Sequence, residues 1–157
     1  MIAANKNVIL ASGSPRRKEL LSLVLDTFTC LSLDIDESFP SSIPAHEVAA
    51  HLAVKKAEIA HQRCAEESIV ITADTTVICD DILLEKPQSE KEAAQFLNTL
   101  SNRWHEVVTA ACIRYGDQQF LHTSVNKVRF ASLPREAIED YIRTGSPMDK
   151  AGGYGIQ

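Results

Sequence analysis

The sequence predicts an α/β or α+β domain with a mixed central sheet flanked by helices. Three observations predict it. Segments of helical period interleave along the chain with short strand-like runs. Two of those runs, Val8–Ala11 and Ser68–Ala73, are apolar and bounded by polar or turn-forming residues. Two others flank Asp80-Asp81 as a hairpin would, so antiparallel pairing is expected beside the crossover connections.

The elements follow in order. Val8–Ala11 is a short strand. A helix is expected from Ser14 to about Asp26, with Ser14 as N-cap, Pro15 in the first helical position, and Leu20, Leu21, Val24 and Leu25 facing a core. Phe28–Leu33 reads as a second strand, and DIDESFPSSIP after it as a loop. Pro44 opens a long helix to about Glu66. Ser68–Ala73 is a strand expected to stop at Asp74, followed by the hairpin of Thr75–Cys79 and Ile82–Glu85. Ser89 and Glu92 form a capping box ahead of a helix that turns Ala93, Phe96, Leu97 and Leu100 to one side. Trp104–Tyr115 and Gln119–Phe130 are long β segments joined at Gly116-Asp117. Pro134 begins a last helix with Ile138, Tyr141 and Ile142 inward, ended by Gly145. The tail, SPMDKAGGYGIQ, carries no periodic signal.

Composition narrows the class. With 157 residues and 45% hydrophobic content, the chain is one domain's worth and can bury a core. The net charge is −5 and no block of like charge stands out, which argues against duplex nucleic acid or an anionic membrane as the main partner. The cysteines, Cys30, Cys64, Cys79 and Cys112, form no CxxC pair and read as reduced, buried thiols. The N-terminus lacks the apolar length of a signal peptide, and no run approaches a membrane span. The expectation is a soluble, cytoplasmic protein.

Several residues are candidates for chemistry. In LASGSPRRKELL, residues 10–21, a strand ends and a helix begins beside Arg16 and Arg17. A helix N-terminus presents unpaired N–H groups, and guanidinium forks match phosphate oxygens. An anion site and an ordinary strand–turn–helix are both compatible with that stretch. Asp74, at the expected strand end, suits a metal ligand or proton acceptor, or a turn-capping role. Asp34, Asp36 and Glu37 suit a hard cation completed by phosphate, or a solvated loop. On the long helix, Ala45, Val48, Ala49, Leu52 and Ile59 form an apolar face; Lys56 falls inside it, which favours lining a cleft, and Lys55 lies at its edge, which favours snorkelling. Lys86 before Pro87 is extended, and projects into a cleft or into solvent.

Other signals are set aside. His46-Glu47 and His51 are one residue too far apart for HExxH, whose histidines lie about 40° apart on a helix rather than about 140°. His105, at a strand start, suggests a structural hydrogen bond. No His or Cys set has zinc spacing, and no GxSxG elbow is present. In DKAGGYGIQ, the glycines permit close backbone approach and Gln157 has an amide able to read a base edge; an unstructured end is the alternative.

Taken together, these segments resemble the Maf (septum formation inhibitor-like) nucleoside triphosphate pyrophosphatases. LASGSPRRKELL, the acidic loop ending in IDE, LAVKKA, ITADTTV, LEKP, LSNRWHEVVTA and GSPMDKAGGYGIQ follow in family order across essentially the whole chain. The resemblance implies an α/β fold of two lobes with a deep cleft, related to the inosine triphosphate pyrophosphatases. It implies hydrolysis of a nucleoside triphosphate to the monophosphate and pyrophosphate with a divalent cation, magnesium first and manganese or cobalt as alternatives.

By motif, the resemblance assigns phosphate to Ser12, Arg16 and Arg17, with Ser14 beside them. Glu37 and Asp74 become the acidic, metal-binding pair, and Asp74 the general base. Lys56 and Lys86 would stabilise phosphate charge, and Gln157 would contact the base. Arg16, Thr75 and Gln157 resemble the dTTP/UTP-hydrolysing type rather than the 7-methyl-GTP type, and modified pyrimidine nucleotides fall within that reading. A homodimer is compatible with it. Family members continue a few tens of residues past GIQ, so residues 1–157 are expected to be a single, C-terminally shortened Maf-like domain. Two other readings stay open: a non-catalytic nucleotide-binding regulator of septation, and a purine-directed pyrophosphatase of the inosine triphosphate type.

Overall fold

The computed structural model describes residues 6–155. Its elements are β1 (Val8–Ala11), α1 (Pro15–Ser22), β2 (Thr29–Leu31), α2 (Ala45–Gln62), β3 (Ile69–Cys79), β4 (Ile82–Leu84), α3 (Glu90–Leu100), β5 (Trp104–Tyr115), β6 (Gln118–Arg129) and α4 (Arg135–Arg143). Two short 3-10 turns follow, at Ser146–Asp149 and Ala151–Gly153. The strands form one mixed sheet in the order β2-β1-β3-β5-β6, with β4 paired to β3. β1 lies parallel to both neighbours, Leu10 opposing Cys30 of β2 and Ile71 of β3. β4 runs antiparallel to the last residues of β3, Cys79 opposing Ile82. The mixed sheet with helices is the expected architecture. No helix among the described residues is long and apolar enough to cross a membrane.

The chain divides into two compact units. The first holds β1, α1, β2, α2 from Glu47, β3 as far as Asp74, and Ala110–Thr123. β1 is buried at all four positions, as a strand flanked by parallel neighbours should be. α2 buries Val48, Ala49, Leu52, Ala53, Lys56, Ala57 and Ala60, the stripe that a 3.6-residue period places on one side. Ala60 packs with Ala11 and Val70, and small side chains there let the backbones approach closely. α2 ends at Gln62, four residues before the expected limit, and β2 keeps only the middle of its expected run.

α1 departs most from expectation. It stops at Ser22, so Val24 and Leu25 never join its inner face, and none of its residues is buried. Leu20 and Val24 are 64% and 76% exposed. Ser22 Oγ donates to the Glu19 carbonyl, a local bond that competes with continuation of the helix. Ser14 occupies the N-cap position without a side-chain cap bond; instead its own N–H donates to Ser12 Oγ at 3.2 Å.

The second unit holds Thr75–Thr109, the chain from Ser124, and Pro44–His46. Asp80 and Asp81 both take positive φ, 50° and 62°, the backbone that a two-residue hairpin turn demands. Ser89 caps α3 by accepting from Glu92 N–H, while the Glu92 carboxylate turns back to Gln88 N–H rather than completing the box at Ser89. Ala93 and Leu97 of α3 pack on Ile138 and Ile142 of α4, and Leu100 packs with Val77, Cys79 and Leu84.

As far as residue 155, the tail is built into the second unit by its 3-10 turns and side-chain contacts. Gly152, at φ 68°, has Val77 side-chain atoms 2.9 Å from where a Cβ would stand, and its N–H donates to the Glu85 carbonyl at 3.0 Å. His105 forms the expected structural bond, its Nε2 lying 2.5 Å from the Tyr154 hydroxyl, with Phe130 closing the ring cluster. Cys79 and Cys112 are buried as expected; Cys64 is half-buried, and Cys30 is exposed along with its neighbour Thr29 on β2.

Candidate active site

Lys56 is the centre of the first unit's polar chemistry. Its position on the apolar stripe of α2 carries it inward, where an ammonium without a partner would be costly. Its Nζ lies 2.5 Å from Asp74 Oδ1 and 2.7 Å from Glu37 Oε1. The lysine and Asp74 side chains are 10% and 12% exposed, whereas Glu37 is 43% exposed, so solvent screens the second contact more than the first. Of the arrangements open to an inward lysine, the structure shows pairing. Lys55, at the stripe's edge, reaches back to the Ser38 carbonyl at 2.9 Å.

Asp74 does not end its strand. β3 runs on to Cys79, because Ile-Val-Ile-Thr-Ala-Asp-Thr-Thr-Val-Ile-Cys is β-branched at most positions and Lys56 satisfies the one carboxylate. Alternation along β3 buries Val70, Thr72, Asp74 and Thr76. Thr72 Oγ donates to the Ala53 carbonyl of α2 at 2.7 Å, so the helix and the strand that carry the charged pair are also joined by a hydrogen bond.

Arg17 reaches the same strand. Its Nη1 donates to the Ala73 carbonyl at 2.6 Å, next to Asp74. Burial pulls its guanidinium below the ordinary arginine range, while the Asp74 charge acts in the opposite direction. Ser12, Ser14 and Arg16 stand half-buried in the loop and first turn leading into α1. The first unit therefore brings Arg17, Glu37, Lys56 and Asp74 together. Such a group can hold an anion through its cations and a hard cation through its carboxylates. Among the described residues no cluster of three or more His, Cys, Asp or Glu side chains could hold a metal. Two carboxylates completed by phosphate oxygens remain a suitable set for magnesium.

Two expected residues lie in the second unit. Thr75 Oγ stands 3.2 Å from Thr109 Oγ. Lys86 is exposed, and its carbonyl accepts from the Gln88 side chain. Gln157 lies outside the described residues. Sequence reasoning missed Thr72 and the role of the Ala73 carbonyl as an arginine acceptor. The signal for Thr72 was present, two residues before Asp74 on the same face of a strand. Lys150, in the DKAGGYGIQ stretch but given no role from sequence, is buried and donates to the Ser146 carbonyl and to Asp149 Oδ1, both at 2.6 Å.

The architecture is shared with solved structures. The Ham1 protein of Staphylococcus aureus superposes with a TM-score of 0.57 over 79% of this chain and 71% of its own, at 14% identity. A nucleoside-triphosphatase described as a dITP/XTP pyrophosphatase, from Mycobacterium abscessus, gives 0.54 over 82% of this chain and 74% of its own, at 17% identity. The fold is thus of the Ham1-like α/β class. Sequence is more specific: the profile of the Maf-like proteins matches residues 7–157, and the chain belongs to that family. It is 42% identical over 154 residues to the dTTP/UTP pyrophosphatase of Chlorobium luteolum, covering 96% of this chain and 80% of that one. It is 43% identical over 152 residues to the protein of the same name from Halalkalibacterium halodurans, covering 97% and 80%.

Proposed function

We propose that the chain hydrolyses dTTP and UTP to the nucleoside monophosphate and pyrophosphate. The observation that carries this reading is the buried Lys56–Asp74 pair with Glu37 on the same ammonium, in a chain whose relatives are named for that activity. Glu37 and Asp74 would hold the divalent cation, magnesium being the best match to carboxylate and phosphate oxygens. That cation supplies charge neutralisation on the triphosphate when bound.

The remaining work falls to the chain's own side chains. Asp74 Oδ1 is engaged by Lys56, so proton abstraction from the attacking water is assigned to Oδ2. Arg17 and Lys56 offset the charge that grows on the pyrophosphate leaving group, with Ser12 and Arg16 as further phosphate contacts. Lys86 is assigned a phosphate contact, and Thr75 and Gln157 a contact with the nucleoside.

The test is pyrophosphate release from a panel of dTTP, UTP, CTP, 7-methyl-GTP, GTP and ITP with magnesium. Asp74→Asn is expected to bind nucleotide while losing roughly 10²- to 10⁴-fold in kcat, the range for a positioned general base. Full turnover in that variant removes Asp74 from the base role. Preference for ITP over dTTP would replace the pyrimidine reading with a purine one. Binding without release by the wild-type chain would point to a regulator.

A further inference from the structure

We propose that Thr72 is a positioning residue that sets the Lys56–Asp74 separation, an inference that rests on the catalytic reading of that pair. Thr72 is fully buried, and its hydroxyl donates to the Ala53 carbonyl at 2.7 Å. The Cys112 carbonyl, at 3.5 Å, is too distant to compete. Ala53 lies three residues, close to one helical turn, before Lys56. Thr72 lies two residues before Asp74 and therefore on the same face of β3. The two bonds run side by side, one between backbone and hydroxyl, the other between ammonium and carboxylate.

Packing alone would hold this register weakly. The buried stripe of α2 between Ala49 and Ala60 consists of Ala49, Leu52, Ala53, Lys56, Ala57 and Ala60. Four of these six are alanines, which offer little to interlock against a strand and resist sliding poorly. A slip of one helical residue is about 1.5 Å along the axis. That would break a contact of 2.5 Å. A directional hydrogen bond penalises such a slip, because moving away leaves the Thr72 hydroxyl buried and unpaired. The second lone pair of the Ala53 carbonyl accepts it without disturbing the helix.

The experiment compares Thr72→Val, Thr72→Ser and Thr72→Ala with Val70→Ala, a core truncation on the same strand face, using pyrophosphate release from dTTP and thermal unfolding. Thr72→Val is expected to lower kcat about tenfold or more while KM stays within about twofold, as for a misplaced catalytic group. Thr72→Ser should restore kcat to within about threefold of wild type. Val70→Ala should lose stability and keep its kcat. In a Lys56→Met background, Thr72→Val should cost no further kcat, since both act through one pair. If Thr72→Val does not fold, Thr72→Ser against Thr72→Ala isolates the hydroxyl.

Wild-type kcat in Thr72→Val overturns the proposal, as does an equal kcat loss in Val70→Ala or additivity in the Lys56→Met background. If the wild-type chain releases no pyrophosphate from any nucleotide, the proposed activity fails instead. A crystal structure of Thr72→Val then decides: a Lys56–Asp74 contact lengthened by about 1 Å or more upholds the positioning role, and an unchanged contact ends it.

Discussion

His105 and Tyr154 meet ring nitrogen to hydroxyl at 2.5 Å, edge-on at 87°, and Phe130 stands edge-on to both. This cluster ties the GGYG segment to β5 and has a sharp pH consequence. Burial pulls the His105 imidazole below its ordinary value of 6.5, so the unfolded chain binds that proton more readily than the folded one. Stability contributed here is present above pH 6.5 and is lost as pH falls below it. Burial pushes the Tyr154 phenol from 10 up to about 12. The unfolded phenol ionises first, so stability is lost as pH rises through 10 towards 12. Urea midpoints measured across pH 5 to 11 should peak between these limits. Tyr154→Phe should flatten the alkaline fall and leave the acid fall in place; an unchanged alkaline slope would refute the assignment.

Lys56→Met removes the ammonium that bridges Glu37 and Asp74 and leaves a carboxylate in a site 12% exposed. Losing one partner of a buried pair costs about 3–5 kcal/mol, and the partial access of Glu37 places the expected value near the low end. Adding Asp74→Asn should recover much of that loss, because the stranded charge disappears. A double-mutant cycle by urea unfolding checks it. Additive losses would mean that the pair contributes little to folding.

Two glycines in left-handed backbone should respond very differently to alanine. Gly116, at φ 54°, has nothing within 4 Å of an added Cβ. Gly152, at φ 68°, would place a Cβ 2.9 Å from three atoms of Val77. Gly116→Ala should therefore cost about 1 kcal/mol, the conformational penalty alone. Gly152→Ala should cost roughly 2–4 kcal/mol, since overpacking adds to the same penalty. Denaturant midpoints separate the two, and equal losses would contradict the packing described for the tail.

Much of the architecture was legible because local signals agreed with the tertiary outcome. The run Val8–Ala11, the Asp80-Asp81 turn, Ser89 as cap and Gly145 as terminator all act within a few residues of themselves. α1 failed as a core helix because nothing among the described residues covers its apolar side, Leu20 within it being 64% exposed although the turn bonds run on to Leu25, and periodicity cannot report whether a helix has a surface to pack against. Asp74 was misread as a strand end because a charged residue usually stops a buried strand. Its neutralising partner, Lys56, is 18 residues away in sequence and invisible to any local window. The inward placement of Lys56 was readable from the helical wheel; what it would meet there was not. Thr75 was singled out by motif and Lys86 by the proline after it, and their contacts with Thr109 and Gln88 had no sequence signature.

The placement of Asp74 inside β3, between the residues that pair with β1 (Ile69–Ile71) and those that pair with β4 (Val77–Cys79), changes how loss of function should relate to loss of structure. A base carried on a loop can be displaced by local opening, at little expense and long before a domain melts. In the role proposed for it, Asp74 sits inside an eleven-residue strand and is displaced only when that strand opens, and the opening of core strands belongs to the highest-energy openings of a domain. The carboxylate's alignment is therefore as durable as the sheet itself, and heat inactivation through this residue becomes a property of the whole fold.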